Sequence, residues 1–446
     1  MILAIIGLQY GDEGKGKIVD YLCNLLNIDY VVRFNGGPNA GHHVNTGYGE
    51  CTLHQVPTGI VSGKKCVIAE GCVINLGTLV KELEPFKTRI NSNNLFISKD
   101  AQLILPHHKI LDLDMELRRK ERTNITARLV KPKPIGSTRQ GITPCYVDKI
   151  NRIGLSLGDL VNNKNVCINR FKEKFYENIS LTKWGDGTII SWYGLGNIPD
   201  VAETFRLLGE QVKDYVCDTS ELVANAIEKK KDILFEGAQG TMLDINKGTY
   251  PYVTSSQCTI NGIPSGIGLP FSKIKLDCVI GVLKAYTTRV GEGPLPGSID
   301  EKLADKLREK GYEYGRTTQR PRRLAWFDAV MTKRAVELNN VTALALTKLD
   351  VLSETEHLDM VVGYRAKEGN KVSSPDVSLL DEYLIDYERS NGWKNEISSV
   401  REYEKLPDTC KKYIEKIEKQ LGVKARLISV GAERNQTISL YPYLIS

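Results

Sequence analysis

The run Gly7-Leu8-Gln9-Tyr10-Gly11-Asp12-Glu13-Gly14-Lys15-Gly16-Lys17 constrains the fold of this chain more than any other stretch. Ahead of it, Ile2 to Ile6 is apolar and has the length of a buried strand. Behind it, Ile18, Leu22, Leu25 and Leu26 recur at the spacing of one helix face. A glycine-rich turn between a strand and a helix N-terminus is a phosphate site. Small residues let the backbone approach the anion, and free N–H groups point at it. Gly11, four residues, then Gly16-Lys17 has the spacing of a P-loop. Two residues depart from that motif. Ile18 stands where a Ser or Thr should hold magnesium, and Asp12 puts a carboxylate where it should repel phosphate.

Further apolar runs predict strands at Tyr30–Phe34, Cys66–Ala69, Asp232–Phe235, Leu276–Leu283, Val341–Leu346 and Arg426–Ser429. Helical patterns lie between several of them, among them Thr219–Lys230 and Phe327–Leu338. This alternation predicts an α/β fold, a large central and mostly parallel sheet flanked by helices. From about Leu103 to Tyr215 the pattern is less regular and predicts helical and loop insertions. We read residues 1–446 as one domain. Ligands of such sheets sit beyond the carboxyl ends of the strands, where the glycine-rich and polar segments of this chain fall.

Composition narrows the function. A net charge of +6 over 446 residues, without a long basic run, points to a small anionic substrate and not to nucleic acid. No run of 18 apolar residues exists, so no membrane span is expected. The apolar start leads straight into the glycine loop and reads as a first strand, not a signal peptide. Ten cysteines without a CxxC pair read as reduced thiols of a cytoplasmic protein.

Five other constellations carry chemistry. Asn35-Gly36-Gly37-Pro38-Asn39-Ala40-Gly41-His42-His43 follows a strand, and His42 there can donate to a reacting oxygen. His107-His108 follows Pro106 and is expected on a surface loop. Ser137-Thr138-Arg139-Gln140-Gly141 suits a second phosphate, though a hydroxyl-rich turn is the commoner reading of such a stretch. In Phe235-Glu236-Gly237-Ala238-Gln239-Gly240, the Gln239 amide both donates and accepts, as reading a purine edge requires. Arg316-Thr317-Thr318-Gln319-Arg320-Pro321-Arg322-Arg323 is an anion clamp or a solvated basic turn. Thr347-Lys348-Leu349-Asp350 looks like a guanine-reading element: the aspartate accepts from N1–H and the 2-amino group, which adenine lacks.

In this order, GDEGKGK, NAGH, FEGAQGTMLDI, GTYPYVTSS, LKAYTTRVG and TKLD resemble the adenylosuccinate synthetase family over essentially the whole chain. The resemblance implies that GTP phosphorylates the 6-oxygen of IMP and that L-aspartate then displaces the phosphate, giving adenylosuccinate, GDP and phosphate. It implies Asp12, His42, Lys15 and Gln239 as the catalytic set. Asp12 would take the N1 proton and hold Mg2+ together with the Gly41 carbonyl, which accounts for both departures of the loop. IMP would meet Asp12, Glu13, Gly14, Lys15, Asn39, Ala40, Gly41, His42, Thr138, Gln239, Thr254 and Arg320. Arg152 would reach the IMP of a partner subunit, which implies a homodimer. GTP would meet Gly11 to Lys17, including Gly16, then Gly41, His42, His43, Arg322, Lys348, Leu349, Asp350, Ser429, Val430 and Gly431. Aspartate would meet Arg316, Thr317, Thr318, Gln319, Arg320, Pro321 and Arg322.

The chain departs from the family pattern at Tyr10, His43, Gln140 and Gln319. Gln319 replaces a glycine and removes freedom at positive φ in the aspartate loop. These departures leave open a relative that applies the same chemistry to another purine nucleotide or amine. A nucleotide-binding regulator or GTPase switch is the alternative of another class, and intact Asp12 and His42 argue against it. Asp12 also separates the chain from a divergent relative that acts on a guanine nucleotide and lacks this aspartate.

Overall fold

Ten strands form the central sheet of the computed structural model, which describes residues 1–46, 49–125, 134–180, 198–315 and 320–440. In chain order they are β1 (Ile2–Gly7), β2 (Tyr30–Arg33), β3 (Lys65–Ile68), β4 (Leu95–Ser98), β5 (Val216–Cys217), β6 (Ile233–Glu236), β7 (Cys278–Lys284), β8 (Ala343–Thr347), β9 (Ala425–Ser429) and β10 (Thr437–Ser439). Their order across the sheet is β10-β9-β8-β7-β1-β6-β2-β3-β4-β5. Every neighbouring pair is parallel except β9 with β10. The seven sequence-predicted strands are the seven consecutive strands from β9 to β3.

The middle of this sheet is covered on both faces, so its strands carry apolar residues on both sides. Leu3 and Ile5 of β1 pack on Ile18, Val19 and Leu22 of the helix α1 (Lys15–Leu25). Ala4 and Ile6 face the opposite way, into a second apolar layer with Phe34, Phe235 and Leu283. Ile18 is therefore a core residue, fully buried, and not a metal ligand. Beyond β3 and β4, three helices, Leu157–Asn162, Lys164–Ser180 and Ile198–Val212, bury one apolar face each against the sheet through Leu160, Phe171, Phe175 and Phe205. No helix among the described residues is long and apolar enough to cross a membrane.

His107 and His108 are not on a surface loop. Pro106 opens α2 (Pro106–Ile125), and both histidines are buried in its first turn. Proline is well placed there because the first helical N–H has no partner in any case. The His107 ring meets Phe175 edge-on, with centroids 6.0 Å apart. His108 accepts the Leu105 N–H at Nδ1 (3.0 Å), so its proton sits on Nε2, which donates to Asp148 (3.1 Å). That tautomer has no free lone pair for a cation, although His107, His108 and Asp148 are close enough to hold one. The pair instead ties α2 to α3 (Ile142–Ile150), and Gly141 at the start of α3 packs directly on His108.

Candidate functional site

The carboxyl ends of β1, β2, β6, β8 and β9 all open into one cavity of about 430 Å³. It is lined by the loop from Tyr10 to Lys17, by Asn39 to His43, by Gln239, by Lys348 and Asp350, and by Ser429 and Gly431. The first loop ends at Gly14, whose φ of 93° lets α1 start abruptly and turn its N-terminal N–H groups to the cavity. Gly16 is required by contact: a Cβ there would stand 2.9 Å from the Cβ of His42.

Four non-glycine residues that line the cavity sit in the left-handed region: Asp12 (φ 57°), Gln239 (φ 59°), Tyr312 (φ 48°) and Lys348 (φ 64°). Each is held by its surroundings. Such strain persists only where packing over-determines it, and it gathers at functional sites.

Asp12 is pinned by Arg322, whose Nε and Nη2 donate to Oδ2 at 2.9 and 2.7 Å. Burial alone would raise the Asp12 carboxyl, but Arg322, Lys284 and Lys15 outweigh it and hold it below the usual range. Arg322 is held in turn by the buried Glu313, which also accepts Lys284 Nζ (2.9 and 2.8 Å) and the Tyr286 hydroxyl (2.6 Å). Glu13 points inward. It accepts the Gln9 and Gly11 N–H groups (3.1 and 2.9 Å) and the Lys15 ammonium (2.6 Å), so its side chain braces the loop.

His42 shares a short hydrogen bond between Nδ1 and Glu236, and Glu236 also accepts the Thr58 hydroxyl and N–H. Burial would raise Glu236, but His42 and Arg33 hold its carboxyl below the ordinary value. Burial pulls the His42 imidazole below its ordinary pKa. Its Nε2 is buried without a partner among the described residues, and His42 lines the cavity. Carboxylate and histidine thus fix which ring nitrogen is left without a protein partner.

Gln239 Nε2 donates to Asn39 Oδ1 (3.1 Å), and Asn39 Nδ2 donates to Thr254 Oγ1 (3.4 Å). Three polar residues from three loops thereby share one edge of the cavity. His54 steadies the same edge by donating from Nδ1 to the Ala40 carbonyl (2.6 Å). Opposite them, Asp112 on α2 accepts the Ser137 hydroxyl (2.6 Å) and the Gly141 N–H (2.9 Å), which shapes the segment carrying Thr138. Arg320 Nη2 donates to the carbonyls of Gly136 and Ser137 (2.9 and 3.2 Å). Gln140 is half-buried and donates to the Thr138 carbonyl (3.5 Å).

At the far end, Asp350 Oδ1 is buried with no partner among the described residues. Burial raises its carboxyl above the ordinary value, against Lys348 and Lys17. An orphaned carboxylate oxygen on a cavity wall is a place for paired donors. Lys17 does not stand free like a P-loop lysine. Its Nζ donates to Ser429 Oγ (2.6 Å), the Gly431 carbonyl (2.7 Å) and the Gln436 carbonyl (3.0 Å), tying the first loop to the end of β9. His43 lies on the hairpin His42–Thr46/Gly49–Leu53 beside Thr52 (3.0 Å) and lines the cavity. Leu349 and Val430 are buried side chains.

Arg316, Thr317, Thr318 and Gln319 lie outside the described residues. Arg152 is exposed at φ 62° and is not among the residues lining the cavity. The motif reading missed the buried supports, namely Glu236 behind His42, and Lys284, Tyr286 and Glu313 behind Arg322. Lys284 carried a signal, since a lysine closing an otherwise apolar parallel strand needs a carboxylate partner.

A family model described as adenylosuccinate synthetase matches residues 4–438. A protein of that name from Thermodesulfovibrio yellowstonii is 41% identical over 444 residues, covering 98% of each chain. One from Borrelia recurrentis is 39% identical over 440 residues, covering 98% of this chain and 97% of the relative. Among solved structures, a fully ligated adenylosuccinate synthetase from Plasmodium falciparum superposes with a TM-score of 0.87 at 35% identity, covering 98% of this chain and 99% of the other. The succinoaminodeoxyadenylate synthetase of cyanophage S-2L shares the fold, with a TM-score of 0.61 at 20% identity over 98% and 95% of the chains.

Proposed function

This chain belongs to the adenylosuccinate synthetase family, and on that premise we propose how its residues divide the reaction. The enzyme is a GTP-dependent ligase that joins IMP and L-aspartate into adenylosuccinate, with release of GDP and phosphate. One observation carries the residue assignment: a single cavity is lined by Asp12, His42, Gln239 and Asp350 together.

IMP lies along Asn39, Gln239 and Thr254, with its phosphate toward Thr138 and its 6-oxygen between Asp12 and His42. Asp12, ionised at neutral pH, accepts the N1 proton, and O6 becomes the nucleophile. His42 Nε2 faces the transferred phosphoryl group and donates to it as the imidazolium, a form that Glu236 at Nδ1 and the arriving phosphate charge favour against burial. Lys15 and the N–H groups at the start of α1 offset phosphate charge. Arg320 and Arg322, with residues 316–319 between Gly315 and Arg320, bind the carboxylates of aspartate. Lys348, Asp350 and Ser429–Gly431 frame the guanine of GTP.

The chain also fits a magnesium ion. Asp12 and Gly41 supply hard oxygen donors beside the phosphate loop, and the buried Ile18 removes any hydroxyl ligand. Held by Asp12 and the Gly41 carbonyl, a magnesium ion would offset negative charge on the phosphates. The unpaired cysteines support a reducing, cytoplasmic setting. A homodimer is supported by the end of α3, where exposed Val147 (46%), Ile150 (78%) and Ile153 (42%) surround Arg152. Mixing inactive Arg152→Ala with inactive Asp12→Asn chains should restore activity through the hybrid dimer. A mixture as inactive as its parts would remove the shared site.

The functional test is turnover with product mass, comparing IMP with other purine monophosphates. Adenylosuccinate from IMP alone is expected. A product from another nucleotide in preference to IMP would assign the site elsewhere.

Lys17 makes GTP binding pH-dependent. Burial draws its ammonium down to about 7. An arriving triphosphate favours the charged form and raises that value. Between the free and bound values the complex holds a proton that the free enzyme lacks, so binding takes up a proton and weakens as pH rises. Titration calorimetry at pH 8 in buffers of different ionisation enthalpy should report uptake approaching one proton. Equal heats in all buffers would mean Lys17 keeps its charge throughout.

A further inference from the structure

The helix α4 (Glu301–Gly311) ends against the guanine end of the cavity, and its end is built unusually. The residue after it is Tyr312, left-handed at φ 48° and ψ 46°. Glycine or asparagine takes that position without cost, and a bulky side chain there is a true outlier. A glycine is next door, but Gly311 is needed where it stands: a Cβ on it would meet the Tyr286 hydroxyl at 2.9 Å. The left-handed turn therefore falls on tyrosine.

The turn is fixed from both sides. Lys348 Nζ donates to the Gly311 carbonyl (2.7 Å), and Lys310 Nζ donates to the Ser353 carbonyl (3.1 Å) just past Asp350. Tyr312 is 74% exposed, yet it lines the cavity together with Lys310, Lys348 and Asp350. A strained, exposed aromatic ring on a rigid rim contributes nothing to the core. It has the form of a stacking surface: flat, with two rotatable bonds and little entropy to lose.

We propose that Tyr312 is a specificity residue for the nucleoside triphosphate, its ring stacking on the purine base whose edge Asp350 reads. The proposal rests on the guanine reading of Lys348–Asp350. Asp350 supplies discrimination through hydrogen bonds. Tyr312 supplies affinity for any purine and little for a pyrimidine, because stacking follows the size of the base.

Three variants test this: Tyr312→Asn, Tyr312→Phe and Asp350→Asn. Tyr312→Asn should raise the thermal midpoint by relieving the left-handed strain, while KM for GTP rises roughly tenfold. KM for IMP, which lies at the other end of the cavity, should stay within twofold. Tyr312→Phe keeps the ring and should restore the GTP value. Asp350→Asn should raise KM for GTP by about tenfold or more.

An unchanged KM for GTP in Tyr312→Asn would overturn the stacking role, whatever its thermal midpoint. So would a lowered midpoint with both KM values raised together, the mark of a structural residue. If Tyr312→Asn is silent while Asp350→Asn weakens GTP, stacking fails alone. If both are silent, the guanine reading of this end fails with it.

Discussion

The Asp12→Asn enzyme is expected to bind GTP and make almost no adenylosuccinate. Asparagine has the shape of aspartate and tolerates the left-handed backbone at φ 57°, so the loop should keep its form. What is lost is the capacity to take a proton, and with it the anionic donor offered to Mg2+. A positioned general base contributes about 10²–10⁴ in rate, or roughly 3–5.5 kcal/mol of barrier. The wild-type group is ready for the task, because Arg322, Lys284 and Lys15 keep it ionised despite burial. Single-turnover product formation and GTP binding should therefore separate, with the first nearly abolished and the second kept. A variant retaining even a tenth of the wild-type rate would remove Asp12 from the proton transfer. Unchanged thermal stability would exclude misfolding as the cause.

The residues readable from the sequence are those whose chemistry is local. The glycine loop, Asn39–His42, Gln239 and Lys348–Asp350 each follow a buried strand, so one rule about strand ends places them on one cavity. The seven central strands were legible because they are apolar on both faces. The edge strands β5 and β10, of two and three residues, and β4 beside β5 were not, since short strands at the margin of a sheet carry no long apolar run. Histidines 107 and 108 are buried against expectation because Pro106 opens a helix, and a proline marks a loop and a first helical turn alike. The supports of the site escaped for another reason. Glu236 and His42 are 194 positions apart, and Arg322 and Asp12 are 310 apart. No motif spans such distances, and only the lone charge in an apolar strand hints at them. Of the departures, Gln140 is half-buried and is not among the residues that line the cavity, and Gln319 lies outside the described residues.

Glu313→Gln should be the most destabilising single change near the site. Glu313 is fully buried, and so is Lys284, so their ion pair has almost no access to water. Burial would raise the Glu313 carboxyl, but Lys284, Lys348 and Arg322 drive it far below the usual range. Lys284 is drawn down to about 8 by burial even with Glu313 beside it. Glutamine keeps the volume and one acceptor but removes the charge, leaving Lys284 without its carboxylate and Arg322 with Asp12 alone. Breaking one partner of a buried pair costs about 3–5 kcal/mol. The loss should depend on pH in a definite sense. Lys284 has a lower pKa folded than unfolded, so the unfolded chain binds more protons and stability grows as pH rises through that interval. Without Glu313 the folded value falls further, and the penalty at pH 7 deepens. Raising the pH to 9 lets Lys284 discharge and should return part of the lost stability. Denaturant midpoints at the two pH values measure this directly. A loss below about 1 kcal/mol at pH 7, or one that grows with pH, would mean that the pair is dispensable. Because Arg322 would then rest on Asp12 alone, KM for aspartate should rise in the same variant, which links the buried carboxylate to the reacting one through a single guanidinium.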